Sequence, residues 1–102
     1  MAFEVGDIDT LPAEPIRAGE EFKIIYAAKN NGSADEPAHT DHVEMWRSDG
    51  QKPLDVHPTT EPARAGDAYS VIVDVPAQEA GFYDIMITLP DGTGRGRSLR
   101  VE

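Results

Sequence analysis

The stretch His42-Val43-Glu44-Met45-Trp46-Arg47-Ser48-Asp49-Gly50-Gln51-Lys52-Pro53-Leu54-Asp55-Val56-His57 reads as a β-hairpin, and its register can be checked by arithmetic. Side chains alternate between the two faces of a strand, so Val43 and Met45 share one face while His42, Glu44 and Trp46 share the other. Asp49-Gly50 is a strong two-residue turn signal. With that pair as the loop, opposed residue numbers sum to 99. Met45 then lies opposite Leu54 and Val43 opposite Val56, all apolar and on one face. Glu44 faces Asp55, His42 faces His57 and Trp46 faces Pro53 on the other. A slip of one residue would destroy both apolar matches.

The same period of two runs outward from this hairpin. Phe3 to Ile8 opens a strand, and Leu11-Pro12-Ala13-Glu14-Pro15 follows with prolines suited to an edge kink or a change of sheet. Phe22, Ile24, Tyr26 and Ala28 alternate with Lys23, Ile25, Ala27 and Lys29, and Asn30-Asn31-Gly32-Ser33 ends that strand with turn chemistry. Ser33 to His39 reads as a loop. Tyr69-Val71-Val73-Val75, Tyr83-Ile85-Ile87-Leu89 and Leu99-Val101 mark three later strands. For the last hairpin, a three-residue loop Asp91-Gly92-Thr93 places Ile85 opposite Leu99 and Tyr83 opposite Val101. No segment has helical period. The expectation is an all-β, immunoglobulin-like β-sandwich of seven or eight antiparallel strands, forming one domain over residues 1–102.

Arg17-Ala18-Gly19-Glu20-Glu21-Phe22-Lys23-Ile24-Ile25-Tyr26 parallels Arg64-Ala65-Gly66-Asp67-Ala68-Tyr69-Ser70-Val71-Ile72-Val73 at an offset of 47. Two copies do not make a solenoid. They fit two equivalent strands entered from turns of like shape. In order, Pro15, Ala18-Gly19-Glu20, Phe22 to Ala28, Lys29-Asn30-Asn31-Gly32, Val43 to Trp46 with Asp49-Gly50, Ala65-Gly66-Asp67 and Ala80-Gly81-Phe82-Tyr83 resemble the CARDB family. These are cell-adhesion-related domains of bacteria with an immunoglobulin-like fold. The resemblance implies a module appended to or repeated in larger surface or secreted proteins, with no catalytic residues to carry over. The stretch Ala34 to Thr40 is longer and more polar than that family pattern. Glu79-x-Gly81-x-Tyr83 also resembles the tyrosine corner of immunoglobulin domains, where the hydroxyl bonds back to nearby backbone. Two residues further on, where antibody domains carry Cys, this chain has Ile85.

Composition narrows the partners. Nine Lys plus Arg stand against nineteen Asp plus Glu in 102 residues, a formal charge of −10. Such a surface disfavours nucleic acid and anionic lipid. No apolar run approaches the ~20 residues of a membrane-spanning helix, so membrane insertion is not expected. There is no Cys, hence no disulfide, thiolate metal site or thiol nucleophile. Met1 to Asp7 shows neither the basic region nor the apolar core of a secretory signal. An extracellular or cell-surface location is implied by the CARDB resemblance alone.

The sharpest chemical constellation is His42 and His57 across the hairpin, with Glu44 and Asp55 beside them. Two imidazoles and two carboxylates on one face could hold a divalent metal or make a pH-sensitive patch. The plain alternative is a solvated polar sheet face. Trp46, facing outward beside His42, could stack on a sugar. His39-x-x-His42 would resemble a zinc spacing on a helix, but a strand sends the two side chains to opposite faces. Ser33 to Glu36 and Asp7 to Asp9 lack the ligand spacing of an EF-hand loop. Ser33, Ser48, Ser70 and Ser98 lack the Gly-x-Ser-x-Gly setting of a nucleophile elbow. Gly92 to Arg97 has no Gly-Lys-Ser/Thr and no helix to follow, so a phosphate loop gives way to a hairpin. The expected protein is not an enzyme and needs no cofactor. It is an accessory binding or spacer module with a protein or carbohydrate partner, acting as a monomer or as part of a larger chain. The competing expectations are a freestanding subunit that binds a protein at a sheet edge, and a sugar- or metal-binding domain using Trp46, His42 and His57.

Overall fold

A computed structural model describes residues 3–102; Met1 and Ala2, part of the stretch read for a secretory signal, lie outside the described residues. The strands are β1 (Phe3–Leu11), β2 (Phe22–Asn30), β3 (His39–Thr40), β4 (His42–Arg47), β5 (Leu54–Val56), β6 (Thr59–Thr60), β7 (Ala68–Val75), β8 (Gly81–Thr88) and β9 (Gly94–Val101). No helix occurs among the described residues, and all paired strands run antiparallel. One sheet has the order β1-β2-β7, a second β5-β4-β8-β9, and β3 and β6 pair alone. Among the described residues the nine strands exceed the expected seven or eight. The surplus is β3 and β6, two residues each and too short to show any alternation.

The inward residues of the two larger sheets meet in one core. Ile24, Val43, Met45, Ile85 and Ile87 are fully enclosed, and the same cluster takes in Phe22, Tyr26, Val75, Tyr83, Leu99 and Val101. Each such aliphatic side chain contributes about 1.5–3 kcal/mol by leaving water. Phe22, Ile24, Tyr26 and Ala28 all point inward, as their alternation predicts. After β1 the chain leaves its sheet, and Ile16 bridges to Val101 on β9 of the other sheet. The proline-containing segment is therefore a change of sheet. The two like-shaped turns are present too. Glu20 N–H bonds Arg17 C=O and Asp67 N–H bonds Arg64 C=O, with Gly19 and Gly66 at φ 81° and 85°. The strands they open, β2 and β7, pair with each other.

The β4–β5 register is the predicted one: Val43 opposes Val56, Glu44 opposes Asp55 and Met45 opposes Leu54. The loop is not. Arg47 N–H bonds Gln51 C=O at 2.7 Å and Gly50 N–H bonds Arg47 C=O at 2.9 Å, so the loop is the three residues Ser48-Asp49-Gly50, with Gly50 at φ 92°. That is a tight turn closed by a left-handed glycine. The chain across Lys52-Pro53 is not laddered, since Pro53 has no N–H to give. It absorbs the one-residue difference and restores the register.

The last hairpin needs a larger correction. Tyr83 opposes Leu99, Ile85 opposes Arg97 and Ile87 opposes Arg95, two residues away from the expected pairing. Leu89 N–H bonds Thr93 C=O and Gly92 N–H bonds Leu89 C=O, so the loop is Pro90-Asp91-Gly92. The expectation assumed that inward positions must be apolar. Here β9 is the edge strand of its sheet, and its inward arginines at the rim of the sandwich reach edge strand β1. Arg95 donates to Val5 C=O at 3.3 Å and to Asp7 at 3.1 Å. Arg97 donates to Ile8 C=O and to Glu14. Val5 and Ile8 flank the register shift in β1, so two guanidinium groups tie its bulge to the facing sheet.

Tyr83 is buried, and its hydroxyl donates to Glu79 C=O at 2.7 Å, the tyrosine corner that the Glu79-x-Gly81-x-Tyr83 spacing predicts. Tyr83→Phe is expected to lower the unfolding free energy by about 1 kcal/mol, and Ile85→Ala by about 3 kcal/mol through the cavity it leaves. Urea denaturation of both variants measures the difference; equal, negligible losses would mean that neither contact forms.

Candidate functional site

Because Val43, Met45 and Leu54 are spent on the core, the intervening residues of β4 and β5 stand on the outer face. His42 and His57 stack there, ring centroids 4.3 Å apart and planes 17° from parallel. Asp55 lies at the Nε2 edge of the stack. Its Oδ1 is 2.6 Å from His42 Nε2 and 3.9 Å from His57 Nε2, while its Oδ2 meets Lys52 Nζ at 2.8 Å. Of the four residues expected to gather, His42, His57 and Asp55 place donor atoms within 4.8 Å of one another. Glu44 sits beside that trio rather than in it. Its Oε1 is 3.7 Å from His42 Nδ1 and its Oε2 is 3.4 Å from Lys52 Nζ. The hydrogen bond from Lys52, and after it that from His42, hold the Asp55 carboxyl down to a pKa of about 2. Reciprocally, Asp55 raises the Lys52 ammonium above its ordinary value.

Trp46 faces outward, 40% exposed, as the alternation predicts. Lys52 Nζ lies 5.0 Å from its ring centroid, so one face of the indole already carries a cation. A sugar stacking on that face would have to displace Lys52. Phe82 and Met86 are exposed on the same outer face of the β5-β4-β8-β9 sheet.

A second cluster lies inside, and the sequence reading missed it. Asp41, between β3 and β4, is 1% exposed. Its carboxylate accepts from Tyr26 Oη at 2.8 Å and Tyr69 Oη at 3.1 Å. His39 Nε2 lies 3.1 Å from the other carboxylate oxygen, and His39 Nδ1 faces Pro37 C=O at 3.1 Å. Burial first, then the Asp41 carboxylate, pushes both tyrosine hydroxyls well above the ordinary tyrosine range. His39 turns inward and His42 outward, so the His39-x-x-His42 spacing brings no common ligand set. The available signal was Tyr, rather than Phe, at inward positions of β2 and β7, since a buried hydroxyl requires a partner. Of the two acidic stretches, Ser33 to Glu36 is a loop whose Asp35 accepts from Ala65 N–H, whereas Asp7 and Asp9 lie within β1 and face Arg95 and Arg97.

No family model matches the sequence, and no curated protein does. The fold has counterparts among solved structures. The chain is similar to a β-glucosidase from Erythrobacter marinus, with a TM-score of 0.74 and 12% identity, over 99% of this chain and 15% of that one. A β-glucosidase from Listeria innocua gives 0.68 and 12%, over 98% and 16%. A structural-genomics protein from Bordetella pertussis gives 0.53 and 12%, over 96% and 88%. At these identities the likeness is one of fold. This chain spans only about a sixth of the β-glucosidase chains it matches.

The exposed trio is therefore the accessible chemistry, and its ionisation can be checked. The Asp55 pKa is depressed, so its ion pair with Lys52 is complete above the ordinary carboxylate range near pH ~4 and is lost as pH falls through about 2. Lys52→Gln is expected to move the Asp55 midpoint upward, read from the carboxyl carbon by NMR. An unchanged midpoint would contradict the Lys52–Asp55 contact.

Proposed function

We propose that this chain is a non-catalytic accessory module of a larger surface or secreted bacterial protein, spacing or presenting its neighbours as the CARDB-like domains it resembles are expected to do. The observation that carries this reading is the asymmetry of the fold matches. Nearly the whole chain superposes on 15% and 16% of two β-glucosidases, so the same fold serves elsewhere as one part of a long polypeptide. A three-stranded sheet facing a four-stranded one, with a tyrosine corner at Tyr83, agrees with an immunoglobulin-like sandwich. The interior carboxylate favours a non-catalytic role as well: Asp41 is occupied by two hydroxyls and faced by an imidazole, and it presents nothing to a substrate.

A second reading is a freestanding subunit that binds a protein partner by adding a strand at a sheet edge. It is favoured by the Bordetella pertussis protein, of which this fold covers 88%. The outer edge of β7 would receive the strand, since β7 ends its sheet and exposes Ile72.

An immunoblot of source cells with an antibody against the domain separates the two. The module reading predicts a band far above 11.1 kDa in a surface or medium fraction. A band near that mass inside the cell would overturn it and favour the freestanding subunit.

A further inference from the structure

We propose that His42, His57 and Asp55 form a binding site for a borderline divalent transition-metal ion of the zinc type. The proposal is independent of the module reading, since a spacer needs no metal.

The donor atoms converge. Both imidazoles present Nε2 to the same oxygen, Asp55 Oδ1, at 2.6 and 3.9 Å. All three donor atoms lie within 4.8 Å of one another. Tetrahedral zinc with ligands at about 2.0–2.2 Å requires donors about 3.3 Å apart. Binding would draw the widest pair in by up to about 1.5 Å and part the 2.6 Å His42–Asp55 pair by about 0.7 Å, movements of the size that side-chain torsions give.

The backbone that carries them is rigid. Val43–Val56 and Met45–Leu54 lock the ladder beneath the trio, and Val43 and Met45 are fully enclosed. Side chains carried on a packed sheet hold a ligand geometry better than those on a loop. His57 follows β5 directly and is held by its stacking on His42.

The surroundings also fit. The Glu44 carboxylate faces His42 Nδ1 at 3.7 Å, on the side of the ring away from the trio. Metal-bound imidazoles commonly find a carboxylate there, which fixes ring orientation. Glu44 is thus assigned as a positioning residue. Lys52 holds Asp55 Oδ2 at 2.8 Å and leaves Oδ1 to the imidazoles. The side chains of His42, Asp55 and His57 are 32%, 39% and 62% exposed, so an ion has direct access. Two imidazole nitrogens and one carboxylate oxygen select zinc-, nickel- or copper-type ions over calcium and magnesium, which take oxygen donors. Three protein ligands leave a coordination position for water or for a donor from another molecule.

The test is titration of the full chain with zinc chloride, followed by calorimetry and by the histidine ring signals in NMR, with calcium chloride in parallel. Saturable one-to-one zinc binding is expected, with the His42 and His57 rings shifting together and His39 unmoved. His42→Gln and His57→Gln should each weaken zinc binding at least about tenfold, with far-UV circular dichroism confirming the fold at these outward positions. Absence of saturable shifts at millimolar zinc would overturn the proposal, as would undiminished binding in His57→Gln or equal binding of calcium. If a variant does not fold, the ring signals of the unaltered chain still decide.

Discussion

The pairing of β4 with β5 carries two burdens at once. Setting Val43 against Val56 and Met45 against Leu54 completes the core under one face of the sheet. The same register lifts His42, Glu44, Trp46, Asp55 and His57 to the other face. With β4 held by its pairing to β8, a slip of β5 by one residue would expose Leu54 and Val56 and bury Asp55 and His57. Core and exposed histidine–carboxylate cluster therefore depend on a single alignment, and the strong demand of the core protects a surface arrangement too weak to enforce itself.

Elsewhere polar groups finish what apolar packing leaves open. Arg95 and Arg97 occupy inward positions of the edge strand β9, and their guanidinium groups bond backbone carbonyls of the bulged β1. Their ion pairs with exposed Asp7 and Glu14 add little in water; the carbonyl bonds join the two sheets at an edge. Asp41 does similar work inside, gathering Tyr26 from β2, Tyr69 from β7 and His39 from β3. An unpaired buried group costs about 1–3 kcal/mol, so this closed set favours one packing of these strands. At the surface, Lys23, Arg47, Lys52, Arg95, Arg97 and Arg100 each face a carboxylate. The acidic excess remains, and it disfavours nucleic acid as a partner.

Legibility in the sequence followed burial. Long alternating runs such as Phe22 to Ala28 and Tyr83 to Leu89 were readable because one face is fully apolar, and the outward setting of His42, Trp46 and Asp55 followed from the same parity. Both hairpin loops were misplaced for one reason. Asp-Gly was read as the whole of one loop and the start of the other, whereas in each case it fills the second and third loop positions. Asp49 and Asp91 accept from the backbone two residues on, and a left-handed glycine closes the turn. In the first hairpin the unladdered Lys52-Pro53 hid the error. In the second, the inward arginines exposed it, because a pattern of apolar residues cannot anticipate a guanidinium aimed at a carbonyl. The Asp41 cluster stayed hidden because Tyr26, Tyr69 and the His39–Asp41 stretch lie far apart in the chain and meet only in the tertiary structure.

The central claim is that the β4–β5 register places the histidine–aspartate trio by placing the core, and a NOESY spectrum of the folded chain tests it directly. The account predicts methyl contacts from Val43 to Val56 and from Met45 to Leu54, together with ring contacts between His42 and His57. Contacts displaced by one residue, with Leu54 methyls against the Trp46 ring, would contradict it.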